Sequence, residues 1–288
     1  MLSVSNKIGK EMIFIMAVFP IGVMLESFRK PMAESLRIAR ELGAQGIQAY
    51  AMSITQENKN EFRSLLRDNG LVLSALCGDL GKGFGNPEWN PGLIETSKRF
   101  VDLAKELGTS IVTTHIGVVP ADPAHPRYHI MQDACGELAR YADSMDAHFA
   151  VETGPELATT LCGFLDGLHS TGVSVNMDPA NLVMVTGDAP VQAVHTLKKY
   201  IVHTHAKDGR KLFDRDPEII YRVVAPKDPV VDDSFIELPL GEGDVPFKAY
   251  LNALQEIGYT GFLTIEREVG ENPTEDIRKA ADFLRALF

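Results

Sequence analysis

The chain has 288 residues, with 28 Lys and Arg against 39 Asp and Glu and a formal net charge of −11. This acidic balance argues against a nucleic-acid partner, because phosphate backbones are held by surplus Lys and Arg. The three cysteines are too few and too widely spaced for a disulfide framework or a CxxC zinc site, which favours a reducing cytoplasm.

An apolar run over residues 12–19 follows Lys7 and Lys10 and superficially resembles a signal peptide. No A-x-A cleavage pattern follows it, and Pro20 interrupts it. The run is also too short to span a bilayer. We therefore predict a buried first strand over 12–19 and no association with a membrane.

Downstream, short apolar runs alternate with segments of helical period, which is the pattern of repeated strand–helix units. The predicted strands cover residues 12–19, 46–51, 71–78, 110–116, 148–153, 173–178, 201–206 and 261–267. The predicted helices cover residues 30–43, 58–69, 92–107, 129–145, 156–170, 189–200, 246–257 and 273–287.

Eight strand–helix units in a chain of this length predict an α/β fold, a closed (β/α)₈ TIM barrel that forms a single domain over residues 1–288. The competing fold is a doubly wound open sheet, which usually carries a phosphate-binding glycine turn after its first strand. The glycine-rich stretch 81–85 follows the third strand instead, so we interpret it as a loop. Oligomeric state stays open, since a homo-oligomer is compatible with this fold.

Residues 209–239 form the longest irregular stretch, between the seventh strand and the seventh helix. Loops of that length are usually functional or disordered. Two interpretations stay open: a set of basic residues that holds a phosphate or carboxylate, or a solvated lid whose charges balance. The basic and aromatic residues concerned are Arg210, Lys211, Arg215, Tyr221, Arg222 and Lys227.

In a barrel the working face lies at the carboxyl ends of the strands. The fifth to eighth strands end in Glu152, Asp178, His205 and Glu266. Three carboxylates gathered at one place repel one another, and a divalent cation resolves that conflict. The sequence thus predicts one divalent cation held by these four side chains. Such a donor set suits Mn²⁺, which we favour, or Mg²⁺, with Co²⁺ and Zn²⁺ also compatible.

Other ionisable residues lie near these strand ends. His203 shares a strand face with His205, one layer deeper, and we interpret it as a packed, hydrogen-bonded histidine. Glu268 shares a face with Glu266 but lies further into the loop, where it suits a substrate contact or support of the site. For His115, which ends the fourth strand, orientation of substrate, metal ligation and structural packing all stay open.

At these residues the chain resembles the sugar isomerase/epimerase superfamily with the xylose isomerase-like barrel, which includes ketose 3-epimerases, hydroxypyruvate isomerases, inosose dehydratases and type IV apurinic endonucleases. The motifs that carry the resemblance are 151–152, 178–181, 205–208, 241–245 and 265–266. The resemblance implies the same four-residue metal site, with Glu152 and Glu266 also serving as the catalytic acid/base pair. Residues expected to contact substrate are His115, Asn181, Lys207 and Glu268.

The sequence departs from the superfamily's endonucleases at several metal positions. Cys77 and Asn181 stand where those proteins often carry histidine, and residues 214–216 give at best an imitation of their Asp-x-His pair. These changes argue against a three-metal nuclease cluster and leave the single site intact.

The leading hypothesis is a metal-dependent isomerase or epimerase of a small sugar, sugar phosphate or polyol, acting through an enediolate. The alternative is a dehydratase of the inosose dehydratase type on the same metal site, because the same intermediate can expel a β-hydroxyl. A third class, a non-catalytic sugar-binding barrel, would hold no metal.

Overall fold

A computed structural model describes residues 19–227 and 232–288, in which eight parallel strands close into a barrel in the order β1-β10-β7-β6-β5-β4-β3-β2. This confirms the predicted TIM barrel. The barrel strands are β1 (Ile21–Met24), β2 (Gly46–Tyr50), β3 (Val72–Cys77), β4 (Ile111–Thr114), β5 (His148–Glu152), β6 (Val173–Met177), β7 (Ile201–Ala206) and β10 (Leu263–Ile265).

Helices surround the barrel, and every predicted helix has a counterpart among them. They are α1 (Met32–Glu41), α2 (Lys59–Asn69), α3 (Asn90–Leu107), α4 (Pro126–Ser144), α5 (Ala158–Asp166), α6 (Pro179–Asn181), α7 (Pro190–Leu197), α8 (Pro217–Ile220), α9 (Phe247–Glu256) and α10 (Pro273–Arg285). Short 3₁₀ turns span Leu25–Phe28 and Ala51–Ser53, and a π turn spans Leu182–Thr186. Among the helices of the described ranges, none is long and apolar enough to cross a membrane.

The first barrel strand is not the one that the hydrophobic run predicted. Residues 12–18 of the predicted strand lie outside the described residues, and the strand that pairs with β2 and β10 is Ile21–Met24. Pro20 directly precedes this strand, and its carbonyl accepts the amide of Leu263. A proline just before a strand costs the sheet no ladder hydrogen bond, so Pro20, which we interpreted as interrupting a strand, instead leads into β1.

The stretch 209–239, predicted as irregular, contains ordered structure. β8 (Asp208–Lys211) pairs antiparallel with β9 (Phe235–Leu238), and the short helix α8 lies between them. The ribbon thus stands over the carboxyl end of β7, from which it directly continues.

A carboxylate fastens this ribbon to the loop before α9. The Asp208 carboxylate accepts four backbone N–H groups, those of Gly209, Gly241, Gly243 and Val245, at 2.8 to 3.1 Å. A buried carboxylate surrounded by amide donors needs no counter-cation to be satisfied. The glycine-rich motif 241–245 therefore has a structural role next to the mouth of the barrel.

Candidate metal centre

Four neighbouring strands bring the four predicted ligands together at the carboxyl end of the barrel. Glu152 ends β5, Asp178 follows β6, His205 lies in β7 and Glu266 follows β10. One donor atom from each side chain can be chosen such that all four atoms lie within 4.8 Å of one another. The strand order thus gathers residues that are far apart in the sequence.

His205 stands at the centre of the group. Its Nδ1 lies 3.3 Å from Glu266 Oε2, 3.4 Å from Asp178 Oδ2 and 3.7 Å from Glu152 Oε2. The imidazole and the Asp178 and Glu152 carboxylates are buried, and Glu266 is nearly so. Because all three carboxylates turn toward one ring nitrogen, Nδ1 is the nitrogen that would face a cation shared by the four side chains.

The other ring nitrogen of His205 is held by a strand on the opposite side of the barrel. Gln48 Oε1, in β2, lies 3.0 Å from His205 Nε2, and Gln48 Nε2 donates to Thr113 Oγ1 at 2.9 Å. The bond to Thr113 orients the Gln48 amide with its oxygen toward the imidazole, so Nε2 is the nitrogen that would keep its proton and Nδ1 the one that would give its proton up to a bound cation. Such outer partners fix the tautomer of a metal-ligating histidine.

Amide side chains hold Glu152 in place. Its Oε1 accepts Asn181 Nδ2 at 2.8 Å and its Oε2 accepts Asn176 Nδ2 at 3.1 Å. The Asp178 carboxylate is divided between two tasks: Oδ1 accepts the Asn181 amide N–H and caps α6, while Oδ2 faces His205. Asn181, predicted as a substrate contact, lines the cavity described below and also orients a ligand.

Lys207, two residues after His205, is 4% exposed and lies among carboxylates. Its Nζ is 3.0 Å from Glu266 Oε2 and 3.9 Å from Glu237 Oε2, and it also contacts Glu268. Glu237 is held in turn by Arg267 at 2.7 Å. Lys207 and Glu268, predicted as substrate contacts, therefore lie beside the candidate ligand Glu266, and Lys207 neutralises part of the negative charge there.

The crowding of negative charge shifts the pKa values of His205 and Glu266. Burial opposes the charged form of His205, but the charges of Glu266 and Glu152 outweigh it and raise its pKa well above the ordinary value. Burial likewise opposes ionisation of Glu266, yet His205 and Lys207 hold its pKa well below the ordinary value. Glu266 is therefore ionised and draws positive charge to His205.

His115 lines the cavity beside Glu152. Its Nδ1 is 3.0 Å from Asp79 Oδ2 and its Nε2 is 3.7 Å from Glu152 Oε1. Burial disfavours the imidazolium, but Glu152 and then Asp79 outweigh it and raise the pKa of His115 to about 9. His115 therefore lies next to the candidate ligand Glu152 and offers the cavity a polar group that a substrate can contact.

His203 lies deeper, as predicted. Its Nδ1 is 2.9 Å from Asn176 Oδ1 and its Nε2 is 3.0 Å from Thr264 Oγ1. Burial, with the charge of His205, lowers its pKa well below the ordinary value. A neutral imidazole with both nitrogens bonded is a structural member of the barrel interior.

Two of the four residues, Glu152 and Glu266, line a cavity of about 690 Å³, a volume suited to a small molecule, and Asp178 and His205 lie behind them. We call it the metal cavity. Its wall comes from loops that follow the barrel strands and from the ribbon over β7. The residues that line it include Tyr50, Asp79, His115, Glu152, Asn181, Lys207, Tyr221, Glu237, Glu266 and Glu268.

Sequence reasoning missed the outer partners Gln48, Asn176, Asp79 and Glu237. Gln48 and Asn176 carried a usable signal, since each is a polar residue inside an otherwise apolar strand. Asp79 and Glu237 lie in a loop and on an edge ribbon, where acidic residues are common, so no local pattern distinguishes them.

The donor set fits a divalent cation. Three carboxylates and one imidazole converge, and within the described residues the cations that contact these carboxylates are Lys207 and the histidines. A hard cation with oxygen ligands and one nitrogen suits that arrangement. The four residues are thus a candidate metal site.

The comparisons with known proteins agree with the fold. Residues 36–287 match the family model described as a xylose isomerase-like TIM barrel. No curated protein is similar enough in sequence to match the chain. Among solved structures, the chain is similar to a xylose isomerase domain protein from Planctomyces limnophilus, with 26% identity, a TM-score of 0.76, and coverage of 93% of this chain and 96% of the other.

Two further structures resemble the chain in fold. One is a 3-keto-D-glucoside 4-epimerase, YcjR, from E. coli, with 16% identity, a TM-score of 0.72, and coverage of 93% and 100%. The other is the probable 3-DHS dehydratase AsbF from Bacillus anthracis, with 16% identity, a TM-score of 0.71, and coverage of 93% and 99%.

Proposed function

The chain belongs to the xylose isomerase-like TIM barrel family, and from its candidate metal centre we propose that it is a divalent-metal-dependent isomerase or epimerase of a small sugar, sugar phosphate or polyol. The observation that carries the proposal is the convergence of Glu152, Asp178, His205 and Glu266, of which Glu152 and Glu266 line the metal cavity. Epimerases and dehydratases both occur among proteins of this fold.

Glu152, Asp178 and Glu266 would hold the cation through oxygen and His205 through Nδ1. When bound, the cation would polarise a substrate carbonyl and so favour loss of the proton from the adjacent carbon. Mn²⁺ is the metal that we favour, with Mg²⁺, Co²⁺ or Zn²⁺ as the other candidates. Gln48 keeps His205 in the tautomer that presents Nδ1 to the site.

The proton transfers fall to two carboxylates. Glu152 and Glu266 belong to strands separated by β6 and β7, so they approach the cavity from different sides. One carboxylate removes the proton beside the carbonyl and the other returns a proton, on the opposite face for epimerisation. Asn181 fixes Glu152, and Lys207 fixes Glu266. His115 and Glu268 contact the bound substrate from the wall.

A dehydratase is the second candidate, and the His115–Asp79 pair favours it. His115 Nε2 faces the cavity side of Glu152 while Asp79 holds Nδ1. An imidazolium held in this way can give its proton to a leaving hydroxyl. Loss of water would then replace reprotonation of the carbon.

Proton exchange with solvent tests the proposal. The Mn²⁺-loaded protein is incubated in D₂O with a panel of ketoses, ketose phosphates and inososes, and deuterium incorporation is read by mass spectrometry. We expect incorporation into at least one compound and its loss in Glu152→Gln and Glu266→Gln. Glu61→Gln, an exposed position on α2, is the matched control. A mass decrease of one water would favour the dehydratase, and exchange at the wild-type rate in both variants would refute the roles.

A further inference from the structure

A second cavity of about 580 Å³ lies beside the metal cavity at the same end of the barrel. Its walls are the loop after β3, the loop after β4, the start of α4 and the turn after α8. We call it the basic cavity. Tyr221 and Gly81 line both cavities, so the two cavities adjoin at these residues.

The two cavities have opposite charge. Lys82, Arg127 and Arg222 line the basic cavity, and no carboxylate is among the described residues that line it. Five carboxylates line the metal cavity. Three cations gathered at one concave surface of a chain with a net charge of −11 are a local reversal of its overall field.

The basic side chains retain unused hydrogen-bonding capacity. Arg127 pairs with Glu218 through Nη2, whereas its Nε is buried without a hydrogen-bond partner. The Lys82 ammonium lies 4.4 Å from the centre of the Trp89 ring, and Trp89 is half-exposed and lines the same cavity. A buried guanidinium N–H without an acceptor is costly unless a ligand supplies one.

Backbone donors add to these cations. Gly83, Gly85 and Gly117 line the basic cavity, and within the described part of the chain their amide N–H groups donate no hydrogen bond. Glycine amides that surround a concave space are a common way to bind phosphate oxygens. Arg222 has a left-handed backbone, φ 58°, which is uncommon for a residue with a side chain and often marks a ligand contact.

We propose that the basic cavity binds a phosphate group carried by the substrate, at the end remote from the carbons that react at the metal centre. Phosphate fits better than a single carboxylate, because its three oxygens can engage Lys82, Arg127 and Arg222 together with the glycine amides. This inference rests on the proposed function for the position of the reacting carbons, and it narrows the substrate to a phosphorylated sugar or polyol.

Orthophosphate binding tests the site independently of the metal centre. Trp89 is the only tryptophan of the chain, so its fluorescence reports directly on the basic cavity. We expect a saturable change on titration with inorganic phosphate, confirmed by calorimetry. Arg222→Gln and Lys82→Gln should each weaken binding about tenfold, read by calorimetry because Lys82 itself contacts Trp89.

Two variants separate this inference from the proposed function. Lys279→Gln removes an exposed cation on α10 and should leave phosphate affinity unchanged. Glu152→Gln disables the metal centre and should also leave it unchanged. A linear, unsaturable response, or equal phosphate affinity in wild type, Arg222→Gln and Lys82→Gln, would overturn the proposal even if deuterium exchange succeeds.

Matched ketoses with and without a terminal phosphate distinguish a substrate phosphate from a free anion. With metal bound, the phosphate ester should bind more tightly than either the free ketose or orthophosphate, since it reaches both cavities. Arg222→Gln should remove that advantage without changing the affinity for the free ketose. An ester that binds no better than the free ketose would overturn the proposal.

Discussion

Gln48 Oε1 lies 3.0 Å from Nε2 of His205, across the barrel interior from the strand that carries the histidine. The contact links β2 to β7, which are not neighbours in the barrel. Its consequence is chemical: with Nε2 occupied as a donor, Nδ1 is left to face the three carboxylates. The metal centre therefore depends on a strand that contributes no ligand.

Replacing Gln48 tests that dependence. Gln48→Leu removes the acceptor for His205 Nε2, and we expect the affinity for Mn²⁺ to fall about 10- to 100-fold. Calorimetric titration of the metal-free protein measures it. Gln56→Leu, at an exposed position, is the control. Wild-type affinity in Gln48→Leu would show that the imidazole needs no outer partner.

Lys207 is expected to stabilise the metal-free protein. Its ammonium is buried among Glu266, Glu268 and Glu237, so Lys207→Met removes the cation that these three carboxylates share. We expect the free energy of unfolding in urea with a chelator to fall by about 3 kcal/mol. Lys30→Met breaks an exposed pair with Glu34 and should cost less than about 1 kcal/mol. Similar losses in both variants would contradict the account.

Glu156 makes the stability of the folded protein depend on pH. Burial raises the pKa of this carboxyl to about 8, although the amide of Val119 donates to it. The unfolded chain releases the proton near its ordinary pKa and the folded chain near pH 8, so this group's contribution to stability falls as pH rises between those values.

Glu156→Gln keeps an acceptor for Val119 and removes that proton. Relative to wild type, we expect the variant to gain stability progressively from pH 5 to pH 8, by on the order of 2–4 kcal/mol in total. Urea unfolding at several pH values measures the difference. A difference that stays constant over this range would show that Glu156 is not neutral in the folded protein.

Gly83 lets two loops of the basic cavity touch. A Cβ there would lie 2.5 Å from the Ile116 carbonyl oxygen and 2.6 Å from Gly117 Cα, both backbone atoms that cannot turn aside. We expect Gly83→Ala to lower the melting temperature. Gly92→Ala, in α3 with nothing within 4 Å of the new methyl, should raise stability by about 0.5–1 kcal/mol. A stabilised Gly83→Ala would contradict this packing.

Much of the fold could be predicted from the sequence, because parallel strands buried on both faces and amphipathic helices leave strong periodic patterns. The first strand was predicted wrongly, since the long apolar run 12–19 has a stronger signal than the four-residue strand Ile21–Met24. The ribbon β8–β9 was missed because edge strands with charged residues lack a clean alternation.

The four candidate ligands could be predicted because each stands at the end of a strand, and barrel topology carries those ends to one place. Their support could not be predicted in the same way. The contact of Gln48 with His205 joins residues 157 positions apart in the sequence. The contact of Lys207 with Glu237 reaches strand β9, whose pairing with β8 the sequence does not indicate. Such contacts form only when the barrel closes and the ribbon folds over it, and no short stretch of sequence indicates them.

Anomalous X-ray scattering from crystals grown with Mn²⁺ tests the central claim most directly. The account predicts one strong peak per chain, within about 2.0–2.4 Å of Glu152, Asp178, His205 Nδ1 and Glu266. Absence of a peak at saturating Mn²⁺, or a peak that two or more of these side chains do not contact, would contradict it.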